Sequence, residues 1–209
     1  MFHRSVFSDE MMIARRVVLF DLGGVLIEST GQDALRRLCA DKWTVEEILH
    51  KWLWSPSVVR FERGEVSPQV FARSFLEEWQ LELDPASFLD MFASWPRQFF
   101  GGAARLVQAV RARHTVGCLS NINEVHWARF PEISSLFDVA FASHLMGFVK
   151  PQPEAYRHAL DVLGVAPDWV LFLDDLLPNV EAARAAGMRA IQIRAFEDIE
   201  PVLRTEGIL

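Results

Sequence analysis

The feature that most constrains this chain is a series of short apolar runs, each stopping at a polar or glycine-rich corner, with helical patterns between them. The first reads Arg15-Arg16-Val17-Val18-Leu19-Phe20-Asp21-Leu22-Gly23-Gly24-Val25-Leu26, a β-branched and apolar stretch that ends in an aspartate and then two glycines. Residues 114–119 end at Ser120-Asn121, residues 169–173 end at Asp174-Asp175, and residues 188–193 follow a helix closed by Gly187; a weaker run, 138–142, lies among them. Apolar runs without alternation mark strands covered on both faces, as in a parallel sheet. Residues 103–113 carry Leu106, Val107 and Val110 on one helical face, 153–163 open on a proline and stop at Gly164, and 178–186 are alanine-rich. Strand alternating with helix predicts a Rossmann-like α/β core built on a parallel sheet. Ligands of such sheets gather beyond the carboxyl ends of the strands. Asp21, Ser120, Asp174 and Asp175 are all expected at that edge.

Residues 27–113 separate the first two strands, far more than a crossover helix and its loops require. The excess reads as helix. Thr44-Val45-Glu46-Glu47 is a capping box leading into Ile48, Leu49, Trp52 and Leu53. Ser67-Pro68 opens a helix with Val70, Phe71, Phe75, Leu76 and Trp79, and Asp84-Pro85 opens another with Phe88, Leu89 and Phe92. With 33–39 this predicts about four helices, placing a helical-bundle cap at residues 29–99 over a core made of 1–28 and 100–209. The insert also holds five of the seven tryptophans, Trp43, Trp52, Trp54, Trp79 and Trp95. Most are expected in the bundle's own core, with one or two facing the site, where an aromatic plane can stack on a sugar ring.

Composition removes whole classes of function. With 21 Lys+Arg against 28 Asp+Glu the formal charge is −7, leaving no basic footprint for nucleic acid. No apolar run approaches the roughly 18 residues of a membrane span, and Asp9 and Glu10 interrupt any signal peptide, so neither membrane nor export is expected. Cys39 and Cys118 have no metal-ligand or disulfide-framework spacing, which points to a reducing cytoplasm. Residues before Ala14 read as a short tail, with Met11 or Met12 as alternative starts. Cys118 reads as core, and His3, His50, His114 and His158 as surface or tail.

The ordered set Asp21-Leu22-Gly23-Gly24-Val25, Leu119-Ser120-Asn121, Lys150-Pro151 and Leu173-Asp174-Asp175 resembles the four motifs of the haloacid dehalogenase-like hydrolase superfamily. The resemblance runs from about residue 16 to 194, and the insert lies where the helical-cap subclass carries its cap. Phe61-Glu62-Arg63-Gly64-Glu65-Val66-Ser67 is similar to a phrase frequent in those caps. The resemblance implies a Mg²⁺-dependent phosphatase acting on a small phosphorylated metabolite, as a monomer or homodimer. Asp21 would be the nucleophile, forming an aspartyl-phosphate, and Ser120, the backbone N–H of Asn121 and Lys150 would bind the phosphate. Asp21, the carbonyl of Gly23, Asp175 and Asp174, the last directly or through its hydrogen bonds, would hold the metal. The chemistry agrees, because a carboxylate attacking a phosphate dianion needs its charge cancelled by a hard cation and a lysine.

One position departs from the pattern. Phosphatases of this superfamily usually carry a second Asp two residues after the nucleophile as general acid and base, and here Gly23 stands there. A missing general acid costs about 10²–10⁴-fold in rate. Three readings compete: a 2-haloacid dehalogenase, which needs no acid but also lacks a consecutive acidic pair; a phosphatase whose leaving group is good or whose acid comes from elsewhere; and a non-catalytic binding or regulatory protein. Asp-Leu-Gly-Gly-Val-Leu followed by Leu-Ser-Asn-Ile-Asn-Glu-Val-His is similar to a bacterial branch that includes the α-glucose-1-phosphate phosphatase, where an anomeric oxygen leaves readily. That favours the second reading, with a sugar phosphate as leading substrate. His126, beside Asn123 after the second motif, is a candidate replacement acid against the plainer alternative of a packed helix-face histidine. Arg60 and Arg63 read as solvated, with contact to an anionic substrate as the alternative.

Overall fold

The strand β1 (Val17–Phe20) lies at the centre of the molecule and is buried along its whole length. The computed structural model describes residues 15–39 and 42–209. The expected tail, its alternative starts and His3 lie outside the described residues. Beside β1 run β4 (Thr115–Ser120) and β6 (Val170–Asp174), flanked by β5 (Val139–Ala142) and β7 (Arg189–Gln192). The sheet order is β5-β4-β1-β6-β7 and every pair is parallel. Phe20 is level with Cys118 on one neighbour and Leu173 on the other, so the corners after these three strands sit side by side.

Alternation along β1 divides the core into two layers. Val18 and Phe20 join Val107 and Val110 of α6 (Ala103–Arg111), Ile133 of α8 (Ile133–Leu136) and Leu203 of α12 (Ile199–Thr205) on one face. Val17 and Leu19 join Ala155 and Tyr156 of α10 (Pro153–Leu163) and Val180 of α11 (Leu177–Ala185) on the other. Burying such side chains on both faces stabilises the sheet by about 1.5–3 kcal/mol each. Gly117 is required by this closeness, since a Cβ there would stand 2.7 Å from Val139 Cγ1 and 2.8 Å from Leu19 Cδ2. Cys118 is a buried free thiol, as expected.

The chain leaves the sheet through β2 (Ile27–Ser29) and returns through β3 (Pro96–Phe99), two short antiparallel strands that sequence patterning does not reveal. Among the described residues between them lie five helices, not about four: α1 (Gly31–Leu38), α2 (Val45–Trp54), α3 (Pro56–Glu62), α4 (Pro68–Glu78) and α5 (Pro85–Ala93). The extra one is α3, started by Ser55, whose side chain accepts from Val58 N, with Pro56 in its first turn. The Thr44 capping box and the Ser67 and Asp84 caps form as expected.

These helices share an aromatic core in which Phe61 stacks on Phe71 at 4.3 Å and Phe75 on Trp79 at 4.9 Å. Trp79 and Trp95 are buried, Trp43 and Trp52 pack against the cluster, and Trp54 is 54% exposed. Among the histidines read as surface, His50 is exposed, whereas His114 and His158 are half-buried; His114 reaches the carbonyl of Ile208 and His158 packs on Phe148.

Candidate active site

Parallel strands put their carboxyl ends on one edge, so Asp21, Ser120 and Asp174 meet there although they are far apart in sequence. Lys150, from the loop after α9 (Ser143–Met146), closes the group. Its ammonium lies 2.9 Å from Asp21 Oδ1 and 2.5 Å from Asp174 Oδ2. Lys150 is 1% exposed and Asp174 0%. Burial alone would depress the Lys150 pKa, but Asp174 and Asp21 outweigh it and the net direction is upward. The lysine is a fixed positive charge.

Both oxygens of Asp174 are engaged. Oδ2 takes Lys150, Oδ1 accepts from Leu176 N at 2.8 Å, and the Asn179 amide donates to both at 3.0 and 3.1 Å. Asp175 is the less committed of the pair. Its carboxyl is pushed up to about 8, by burial first and then by the nearby charges of Asp21 and Asp174. One oxygen from each of Asp21, Asp174 and Asp175 lies within 4.8 Å of the others. Three carboxyl groups share this corner with one ammonium, and an all-oxygen donor set suits a hard divalent cation such as Mg²⁺. The residues therefore fit the metal that the motifs imply.

The corner after β1 is shaped for this crowding. Leu22 O accepts from Leu26 N at 2.9 Å and Ile27 N at 2.7 Å, winding residues 22–27 into a tight turn. At Gly24, φ +76, a Cβ would stand 2.5 Å from Asp175 Oδ2. Gly23 faces open space, with nothing within 4 Å of a would-be Cβ.

The corner after β4 is anchored from behind. Ser143 Oγ accepts from Ile122 N at 2.9 Å and donates to Ile122 O at 3.1 Å. Asn121 grips the backbone of Lys150 from both sides: its Oδ1 accepts from Lys150 N at 2.8 Å and its Nδ2 donates to Lys150 O at 2.9 Å. The peptide bond from Lys150 to Pro151 is cis. Sequence reasoning assigned Asn121 only a backbone role, and the side-chain clasp on Lys150, 29 residues away, has no local signature. Asn179 was missed for the same reason.

His126 does not reach the site as an acid. Asn123 caps α7 (Glu124–Trp127), as expected of a short helix there, but the imidazole Nε2 lies 2.8 Å from Phe92 O and the ring stacks on Phe92 at 4.2 Å. Burial pulls its pKa down to about 4, so the ring is neutral and ties the core to α5. Arg63 is not simply solvated either, because its guanidinium donates to Gln152, two residues beyond Lys150. Arg60 pairs loosely with Glu65 at 3.6 Å.

The fold is a parallel α/β sheet covered by helices, with an acidic centre at its carboxyl edge. The model of the haloacid dehalogenase-like hydrolase family matches residues 15–187, and the chain belongs to that family of enzymes. It is 30% identical over 187 residues to phosphatase MT3486 of Mycobacterium tuberculosis (strain CDC 1551 / Oshkosh), covering 83% of this chain and 84% of that protein. It is 28% identical to bifunctional epoxide hydrolase 2 of Rattus norvegicus, but there 93% of this chain spans only 40% of the relative.

Among solved structures, a predicted HAD-like family hydrolase from Porphyromonas gingivalis superposes with TM-score 0.72 at 25% identity, covering 92% of this chain and 97% of that one. HAD family enzyme bt-2542 of Bacteroides thetaiotaomicron, in complex with magnesium and inorganic phosphate, gives 0.70 at 21% identity, covering 87% and 96%. Among the described residues no helix is long and apolar enough to cross a membrane.

Proposed function

We propose that this hydrolase is a Mg²⁺-dependent phosphatase that cleaves a small phosphate monoester through an aspartyl-phosphate on Asp21. The observation that carries the reading is the cluster of Asp21, Asp174 and the partly buried Asp175, with the first two paired to the buried Lys150. A nucleophilic carboxylate held beside a fixed ammonium, with two further carboxylates placed for a cation, is what phosphoryl transfer to an enzyme needs. The likeness to a protein named as a phosphatase, and to one crystallised with magnesium and phosphate, supports it.

In this reading Asp21 and Asp175, with the carbonyl of Gly23, hold the metal, and Asp174 positions Lys150 through its hydrogen bonds. Bound Mg²⁺ neutralises phosphate charge so that an anion can approach three carboxylates. Lys150 stays protonated throughout and pairs with the phosphoryl oxygens as well as with Asp21. Ser120 and the N–H of Asn121 complete the phosphate cradle. Residues 29–99 act as the cap, closing over the carboxyl edge to exclude water. A phosphorylated sugar is the leading substrate, and the cytoplasm the proposed location.

The dehalogenase reading is disfavoured by the same carboxylate cluster, which has no use in displacing a halide from carbon. The test is release of phosphate from a panel of phosphorylated sugars in Mg²⁺ and in EDTA, with chloroacetate alongside. Metal-dependent phosphate release, abolished in Asp21→Asn, is expected. Metal-independent chloride release would replace the reading with the dehalogenase, and no turnover of either kind would replace it with a binding protein.

A further inference from the structure

The corner at Gly23 offers no side chain to protonate a leaving oxygen, and His126 is neutral and tied to Phe92. A carboxyl is held near the site from the other direction, next to an arginine that docks two residues beyond Lys150. Glu62 ends α3 in the insert and is 7% exposed. Burial pushes it up to about 8, Lys150 pulls down and Asp21 pushes up, so it is largely protonated at neutral pH.

The turn that carries Glu62 is pinned to the core. Arg63 donates to Gln152 and lies 3.6 Å from Glu65. Gly64, at φ +71, passes so close to α9 that a Cβ would stand 2.6 Å from the His144 carbonyl oxygen. The charged and titratable groups around Glu62 are thus Lys150 and Asp21 in the site, Arg63 and Glu65 on its own turn, and His144 on α9.

We propose that Glu62 is the general acid and base of this enzyme, delivered to the reacting oxygen from the insert in place of the residue absent at Gly23. The proposal rests on the phosphatase reading. In the first half-reaction an Asp21 carboxylate oxygen bonds to phosphorus while the bond from phosphorus to the alcohol oxygen breaks, and the Glu62 proton passes to that oxygen. In the second, the Glu62 carboxylate takes a proton from water as the water oxygen bonds to phosphorus. Asp21 then leaves as a carboxylate, inorganic phosphate is released, and Glu62 ends protonated as it began.

The test compares 4-nitrophenyl phosphate, whose leaving group needs little protonation, with butyl phosphate and the phosphorylated sugars. Glu62→Gln keeps the shape of the protonated acid but has no proton to give. Its kcat/KM for the alkyl and sugar esters is expected to fall about 10²–10⁴-fold while that for the nitrophenyl ester holds. The nitrophenyl ester then shows a burst followed by slow turnover, because water attack has lost its base, and the alkaline limb of the alkyl pH profile disappears.

Equal loss on both ester types, no loss on either, or a wild type unable to cleave any alkyl or sugar ester overturns the proposal. The phosphatase reading survives each of these if Mg²⁺-dependent cleavage of the nitrophenyl ester persists and is lost in Asp21→Asn. If Glu62→Gln does not fold, the wild type still decides: across substituted phenyl phosphates, kcat/KM varies shallowly with leaving-group pKa when an acid operates. A steep dependence overturns the proposal.

Discussion

Two neighbouring glycines make opposite predictions. At Gly24 the backbone has φ +76, which costs an L-residue about 1–2 kcal/mol. A Cβ would also stand 2.5 Å from Asp175 Oδ2, well short of the 3.4 Å of ordinary contact. In Gly24→Ala the carboxyl must therefore retreat by about 1 Å, and a misplacement of that size in a reacting constellation costs about 10²-fold in rate. The backbone strain lowers Tm by about 2–8 °C in a chain of this length. Gly23 is free of both effects: its φ is outside the left-handed region and nothing lies within 4 Å of its would-be Cβ. Gly23→Ala should hold its rate and raise stability by about 0.4–1 kcal/mol through the unfolded chain. Thermal unfolding in EDTA and in Mg²⁺, with the Mg²⁺ concentration for half-maximal phosphate release, reads both effects. Gly24→Ala should also need more Mg²⁺. Indistinguishable variants, or a Gly24→Ala enzyme with unchanged rate and Mg²⁺ requirement, would refute the placing of Asp175 at the metal.

Lys150→Met should destabilise by about 3–5 kcal/mol, because Asp21 and Asp174 lose their buried counter-charge; the deficit, read by urea unfolding, should shrink toward acid pH as those carboxyls protonate. Asn121→Ala removes both hydrogen bonds to the Lys150 backbone and should cost about 1–3 kcal/mol with a lower kcat, measured by thermal unfolding and initial rates. Glu62 has a folded-state pKa of about 8 against 4.5 for the free side chain. Between those values the unfolded chain binds fewer protons at this position, so its contribution to stability is fully present below about pH 4.5 and is lost as pH rises toward 8. Urea unfolding in EDTA should show Glu62→Gln gaining on the wild type across that window, and a constant difference would sink the assignment.

The sheet was legible because its strands are apolar without alternation and end in punctuation. Pro153 and Gly164 set the limits of α10 to the residue. The pair β2–β3 was not legible, since Glu28, Arg97 and Gln98 give it a polar look and its pairing joins Ile27 to Phe99 across the whole insert. Helix α3 was hidden in a continuous apolar pattern with α2, although Ser55-Pro56 carries the same signal that correctly started α4 at Ser67-Pro68. That Asp21, Asp174 and Asp175 would lie together was legible, because each follows or ends a strand of one parallel sheet. Glu62 was not foreseen as a site residue, because its position depends on how the insert docks, through Arg63 on Gln152 and Gly64 on His144. His126 shows the converse: nearness in sequence to the second motif suggested an acid, and packing against Phe92 made it a neutral tie.

Covalent phosphorylation of Asp21 is the centre of the account, and it can be trapped. The enzyme is mixed with Mg²⁺ and 4-nitrophenyl phosphate, quenched in acid within a turnover, reduced with borohydride and digested for mass spectrometry. The account predicts reduction of the acyl-phosphate to the alcohol at Asp21, absent without Mg²⁺ and absent in Asp21→Asn. Phosphate release with Asp21 unmodified, or with the modification on another residue, would contradict it.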